Sequence, residues 1–177
     1  MEFKKVLETR RSIRQYNGEE VTHAELVELI RAAQFAPSWK NTQTARFYVA
    51  ESAEATEKVA NALPEFNRVR TKGVGAYIVV TAVHGMSGFT DEGTPATHLG
   101  EGFQYFDNGL AVQNLCLAAK DMDLSTLIMG LYDEAALRGI FDIPKEEKIT
   151  VVLAVGKTDS DPKMNPRKET EEVVKFL

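Results

Sequence analysis

Three arginines, Arg10, Arg11 and Arg14, stand within five residues of one another in an acidic chain, with Ser12 among them. A guanidinium carries a fixed charge and a planar fork of donors, which fits phosphate or carboxylate oxygens. The same cluster suits a solvated helix end, where cations complement the macrodipole. Spacing does not choose between the two. A second constellation, Ala36-Pro37-Ser38-Trp39-Lys40-Asn41-Thr42-Gln43, sets amide and hydroxyl side chains around the single tryptophan. Such groups can read the edge of a planar heterocycle while the Trp39 indole supplies an apolar wall. A polar loop with a half-buried tryptophan is the plainer alternative. Asn67-Arg68-Val69-Arg70 comes just before an apolar run at Tyr77, and Leu127-Ile128-Met129-Gly130 reads as a buried strand ending on glycine. Glycine there lets a ligand approach the backbone, although a strand-to-loop turn uses the same residue. A basic stretch, Pro162-Lys163-Met164-Asn165-Pro166-Arg167-Lys168, either returns to an anion site or stays solvated.

The elements that must position these residues follow from periodicity. Phe3, Val6 and Leu7 are spaced for one helical face, and the helix stops near Arg10. Asn17-Gly18 marks a turn. Thr22-His23-Ala24-Glu25 is a capping box, and Leu26, Leu29, Ile30, Ala33 and Phe35 line the helix behind it until Pro37. Residues 46–51 read as a strand and 53–62 as an alanine-rich helix. Residues 77–83 and 149–155 are continuous β-branched runs, the pattern of strands covered on both faces. Residues 85–102 hold five glycines and few large apolar side chains, which indicates a mobile loop. A long helix over 103–122, a strand over 124–129 and a helix from an Asp133 cap to Phe141 complete the pattern. Interleaved helices and strands with two wholly apolar strands indicate a sheet covered by helices on both faces. The apolar end, Val173-Val174-Lys175-Phe176-Leu177, follows a polar arm and gains little unless it docks, one candidate being the sheet edge of a second subunit.

Composition narrows the function. The chain of 177 residues fits one domain, 1–177, and its formal charge of −5 argues against nonspecific nucleic-acid binding. No uninterrupted apolar run is long enough to span a bilayer, and residues 1–8 alternate charged and apolar side chains rather than forming the continuous apolar stretch expected of a secretory signal. The single cysteine, Cys116, lies in an apolar helical pattern, reads as a buried small hydrophobe rather than a catalytic thiol, and suits a reducing cytoplasm. The spacing of His23, His84 and His98 matches no metal-ligand pattern.

Taken together and in this order, the motifs resemble the FMN-dependent nitroreductase family over nearly the whole chain. The resemblance rests on Arg10-Arg11-Ser12-Ile13-Arg14, on Ala36-Pro37-Ser38 with Asn41 and Gln43, and on Asp107-Asn108-Gly109 leading into Asn114-Leu115-Cys116-Leu117-Ala118-Ala119. Pro166-Arg167-Lys168 followed by Glu171-Glu172-Val173-Val174 closes it. The resemblance implies an α/β (α+β) sandwich with a mixed central sheet, and a homodimer with FMN at the subunit interface. The C-terminal arm would extend onto the partner's sheet. Arg10, Arg11, Ser12 and Arg14 would hold the phosphate, ribityl and pyrimidine side of FMN, with Arg167 joining at the phosphate. Pro37, Ser38, Asn41 and Gln43, with Trp39 among them, would reach the flavin from the other subunit. Asn67 and Arg70 would lie beside the ring, and Met129 and Gly130 would offer backbone at its reactive edge. Guanidinium charge at Arg14 and Arg70 would favour the anionic character of reduced flavin. The implied activity is hydride transfer from NADH or NADPH through the flavin to a small electron-poor acceptor, a nitroaromatic or quinone. A flavin-binding redox sensor or store, or a flavoenzyme with another acceptor or donor, is the alternative. Asn165 stands where many relatives place a basic phosphate ligand, so either Lys163 or Lys168 would substitute or phosphate binding would be weaker. Residues 85–102 would form the substrate lid.

Overall fold

The two apolar runs become neighbours at the centre of one sheet. In a computed structural model that describes residues 2–177, β2 (Ala76–Val83) and β4 (Glu147–Gly156) pair antiparallel. β1 (Ala45–Ala50) adds beside β2 and β3 (Ser125–Met129) beside β4, giving the order β1-β2-β4-β3. All four strands pair antiparallel. The mixed character expected of the sheet comes from one parallel bridge, Ser12 to Thr126, on the outer edge of β3. Ile13 N–H donates to the Thr126 carbonyl there at 3.0 Å.

Both faces of the sheet are covered, as the β-branched runs require. On one face, Ile78 and Val80 of β2 with Leu153 and Val155 of β4 meet two helices, α2 (His23–Gln34) and α5 (Gly102–Asp121). On the other, Tyr77, Val79, Val152 and Ala154 meet α3 (Ala53–Asn61) and α6 (Glu134–Phe141). The alternation is the period-2 pleat read directly from sequence. α1 (Phe3–Thr9) lies against α5. The capping box at Thr22 forms as expected, with Thr22 N–H donating to the Glu25 carboxylate at 2.7 Å and Glu25 N–H to the Thr22 hydroxyl at 3.2 Å. One element was not apparent from periodicity: residues around Asn67 form a short helix, α4 (Glu65–Arg70).

A bulge interrupts the β2–β4 ladder, because Val80 pairs with Val151 whereas Thr81 pairs with Ile149. The extra residue, Thr150, turns its hydroxyl back onto the Val80 carbonyl at 2.9 Å. Asn108 of α5 fills the remaining gap, its amide donating to the Thr81 carbonyl at 3.0 Å and the Thr150 hydroxyl at 3.2 Å. A buried carbonyl left without a donor costs about 1–3 kcal/mol. Asn108→Ala is therefore expected to lower stability by about 1–3 kcal/mol, read as a fall in the denaturant midpoint. An unchanged midpoint would show that the bulge needs no plug.

Among the described residues, no helix is long and apolar enough to cross a membrane. From residue 161 onward every residue is exposed, and Val173 and Phe176 keep 68 % and 86 % of their surface open. The C-terminal arm thus leaves the body of its own chain.

Candidate functional site

The arginine cluster is built where α1 ends and the chain passes to the edge of β3. Arg10 and Arg11 are half-buried and line a cavity of about 630 Å³ with Ile13, Cys116, Thr126 and Thr158. The Arg11 Nη1 donates to the Glu8 and Arg10 carbonyls at 2.6 and 2.9 Å, so part of its role is to close the helix end. Its Nε is buried and has no partner. Among the described residues, the Arg10 side chain has no hydrogen-bonded partner and stays available to an anion. Arg14 is exposed and donates to the Ser12 carbonyl at 3.2 Å. Burial pushes the Cys116 thiol up from its ordinary range, against the opposing influence of a Thr126 hydrogen bond and the Arg10 charge. The thiol is therefore held in its neutral form, as a buried small hydrophobe.

Downstream, the turn after α4 packs against Tyr16 and Gly18, which follow the arginine cluster in sequence. Gly73, at φ +80°, packs so closely under the Tyr16 carbonyl that a Cβ there would lie 2.9 Å from the oxygen. Asn67 is buried, while Arg70 is exposed with its guanidinium 5.4 Å from the Phe66 ring centroid. Met129 sends its side chain into the core beneath the sheet, which leaves its backbone for any ligand. Gly130 is exposed, and a Cβ added there would meet nothing within 4 Å. That is open space beside backbone, as a ligand-facing strand end requires.

Pro37, Ser38 and Gln43 line a different cavity, about 500 Å³, with Thr42, Thr44, Arg46, Phe47 and Asp107. A 3-10 turn over Trp39–Asn41 shapes it. Lys40, Asn41 and Gln43 all adopt left-handed backbone, at φ 44°, 56° and 49°. Outside glycine this costs roughly 1–2 kcal/mol per residue, with asparagine the most tolerant, and such residues cluster at ligand clamps. The loop is tied to itself by Gln43 N–H donating to the Ser38 hydroxyl at 3.0 Å and Thr42 N–H to the Trp39 carbonyl at 2.8 Å. Trp39 turns inward, its ring 4.7 Å from that of Phe103, with Nε1 buried and unpaired.

Within one chain, then, five of the expected site residues fall into two sets, while Ser12, Arg14, Trp39, Asn41, Asn67, Arg70, Met129 and Gly130 line neither cavity. Arg10 and Arg11 share one cavity and Pro37, Ser38 and Gln43 another. Arg167 belongs to neither set; it lies on the exposed arm and donates to the Asn165 carbonyl at 3.1 Å.

Polar groups that composition did not single out for chemistry lie between these features. Gln104, Asp107 and Asn108 are buried on one face of α5, where Ala111 and Leu115 continue the core. Asp107 Oδ2 accepts from Trp39 N–H at 2.9 Å and from the Ser87 hydroxyl at 2.6 Å. Both ends of the Gln104 amide, Thr42 Oγ1 and Thr44 Oγ1 are buried without partners. The available signal was three polar residues at i, i+3 and i+4 on a core-facing helix stripe.

Residues 85–102 are more ordered at their base than a loose loop. Ser87 and Gly88 are buried, Ala96 N–H donates to the Gly88 carbonyl at 2.8 Å, and Phe89 bridges to Pro95. Gly88, at φ +83°, lies so close to Gly100 that a Cβ would fall 2.5 Å from its carbonyl oxygen. The segment is a tongue, exposed over 91–96 and pinned where it leaves the body.

The fold and sequence both have known counterparts. A profile of the nitroreductase family matches residues 7–74 and 76–157. YdgI of Bacillus subtilis, an NAD(P)H nitroreductase by name, is 28% identical over 185 aligned positions that cover 88% of each chain. The crystal structure of an Exiguobacterium sibiricum protein, named as a nitroreductase in complex with FMN, superposes with a TM-score of 0.86. It is 23% identical, with 100% of this chain and 98% of that one covered. A nitroreductase family protein from Streptococcus pneumoniae gives a TM-score of 0.84 at 18% identity, covering 99% and 100% of the two chains.

Proposed function

The chain belongs to the nitroreductase family, and from that premise we propose that it is an FMN-dependent oxidoreductase working as a homodimer in the cytoplasm. The observation that carries this reading is the separation of Arg10 and Arg11 from Pro37, Ser38 and Gln43 in two different cavities of one chain. A flavin that needs both sets must take the arginine set from one subunit and the Pro37–Ser38 set from the other. The exposed apolar arm supports the same assembly, since it has no place on its own chain.

The residues present fit the cofactor. Arg10 has a guanidinium without a hydrogen-bonded partner among the described residues, Arg11 an orphaned buried Nε, and Gly130 unobstructed space. When bound, FMN supplies two-electron hydride chemistry, linking NADH or NADPH to a small electron-poor acceptor such as a nitroaromatic or quinone. Arg10, Arg14 and Arg167 bind the phosphate dianion and pyrimidine side by charge-assisted hydrogen bonds, and Ser12 the ribityl chain. Asn67 and Arg70 flank the ring, with Arg70 contributing positive charge. Backbone at Met129 and Gly130 lies at the reactive edge. Pro37, Ser38, Asn41 and Gln43 of the second subunit close the opposite side and exclude water. Trp39 supports that loop from within through Phe103. The tongue of residues 85–102 forms the lid over the acceptor.

The expected result is a yellow protein whose flavin absorbance bleaches anaerobically with NADH or NADPH and recovers on adding a nitroarene. Colourless protein that takes up no FMN would overturn the assignment. Bound flavin that neither nicotinamide bleaches would favour a flavin store or a different electron donor.

A further inference from the structure

We propose that Asp107 is the positioning residue of this site: it holds the loop of residues 38–43 in its left-handed shape and joins it to the tongue of residues 85–102. As a statement about flavin binding, this rests on the reading above; as a statement about the loop, it does not.

A run of left-handed residues persists only where surrounding structure over-determines it. The hydrogen bonds from Gln43 to Ser38 and from Thr42 to Trp39 close the loop on itself but do not attach it to the body. At its far end the loop is tied to β1, where Arg46 Nη1 donates to the Gln43 carbonyl at 2.8 Å. Its Trp39 end is attached by two contacts, both with the first turns of α5. One is the Trp39 ring on Phe103, and the other is Trp39 N–H donating to Asp107 Oδ2 at 2.9 Å. A ring contact tolerates sliding, whereas a hydrogen bond to a fixed oxygen sets the position of the backbone.

That oxygen is itself fixed from a third segment. The Ser87 hydroxyl, wholly buried at the base of the tongue, donates to the same Oδ2 at 2.6 Å. Asp107 as a residue is only 5% exposed, so water is poorly placed to stand in for either donor. It also lines the cavity that Pro37, Ser38 and Gln43 share. One oxygen atom thus fixes the clamp loop and the base of the lid at once. Displacing the tongue moves Ser87, frees the carboxyl group to rotate, and releases the constraint on Trp39.

The test compares the full-length protein with Asp107→Ala, Asp107→Asn and Ser87→Ala. The readouts are the Kd for FMN after flavin removal, acrylamide quenching of Trp39 in the apoprotein, and Tm. Because Trp39 is the single tryptophan, its quenching reports this loop alone. Asp107→Ala is expected to raise the Kd about tenfold and to increase quenching, since the partly buried Trp39 N–H loses its acceptor. Asp107→Asn keeps an acceptor oxygen and should restore the Kd to within about threefold of the unmodified protein. Ser87→Ala should raise it about threefold while leaving every flavin-facing group intact. The proposal is overturned if Asp107→Ala matches the unmodified protein in both Kd and quenching. It is equally overturned if Asp107→Asn is no better than alanine. Should the alanine variant fail to fold, unchanged Kd and quenching in Ser87→Ala overturn it instead. If the unmodified chain takes up no FMN, the cofactor reading falls separately, and the quenching series alone decides the role of Asp107.

Discussion

A chain cut before Glu171 is expected to sediment as a monomer and to emerge from purification without most of its flavin. The arm carries Val173, Val174, Phe176 and Leu177, all exposed on the chain that bears them. Burying a side chain of that size contributes roughly 1.5–3 kcal/mol. Removing residues 171–177 therefore withdraws several such contacts from any dimer at once. Loss of flavin follows from the division of the site between two cavities, because a lone subunit offers only one set at a time. Sedimentation velocity with absorbance in the flavin band measures both outcomes together. An unchanged boundary carrying a full complement of flavin would remove the exchanged arm from the scheme.

Arg14→Ala is expected to weaken FMN binding about 10- to 100-fold, the range for one lost charge-assisted bond of about 1.5–3 kcal/mol. Arg14 is exposed, with one weak tie to the Ser12 carbonyl at 3.2 Å, so its loss costs the fold little. Lys40→Ala is the matched control. It removes the same formal charge from an exposed position on the other loop. Fluorescence titration of the apoproteins, repeated at high salt, should show the difference between the two variants narrowing as screening rises. Equal affinities for the two variants at low salt would count against the arginine cluster as the phosphate and pyrimidine ligand.

Long-range order was legible where residue patterns are local. The 20-residue helix Gly102–Asp121, both central strands and the Thr22 capping box declare themselves through periodicity and paired side chains. α4 does not, because six residues with two arginines offer too little apolar repeat to register. β4 begins two residues before its apolar run. Glu147 there is a buried carboxylate that accepts from the Tyr48 hydroxyl at 3.0 Å and from the Thr81 hydroxyl. A charged residue reads as solvent-facing until its cross-strand partners are known. The arginine cluster was visible as charge, but Arg11 proves divided between an anion cavity and its own helix end. The role of Asp107 was out of reach, since its two donors lie 68 and 20 residues away in sequence. No local rule joins positions so far apart.

The outer edge of β3 bears on how the protein must be made. Beyond the bridge at Ser12, its strand end presents Ile128, 45 % exposed, and then Leu131, 61 % exposed, with no strand paired alongside among the described residues. Under the exchanged-arm dimer proposed above, a newly synthesised copy would carry both a vacant template for strand addition and an apolar tail able to seek one. Association in the right register and uncontrolled polymerisation compete for the same surface. Yield on refolding should then pass through an optimum in protein concentration: too dilute, and protomers wait uncovered; too concentrated, and mismatched pairing outruns the correct one.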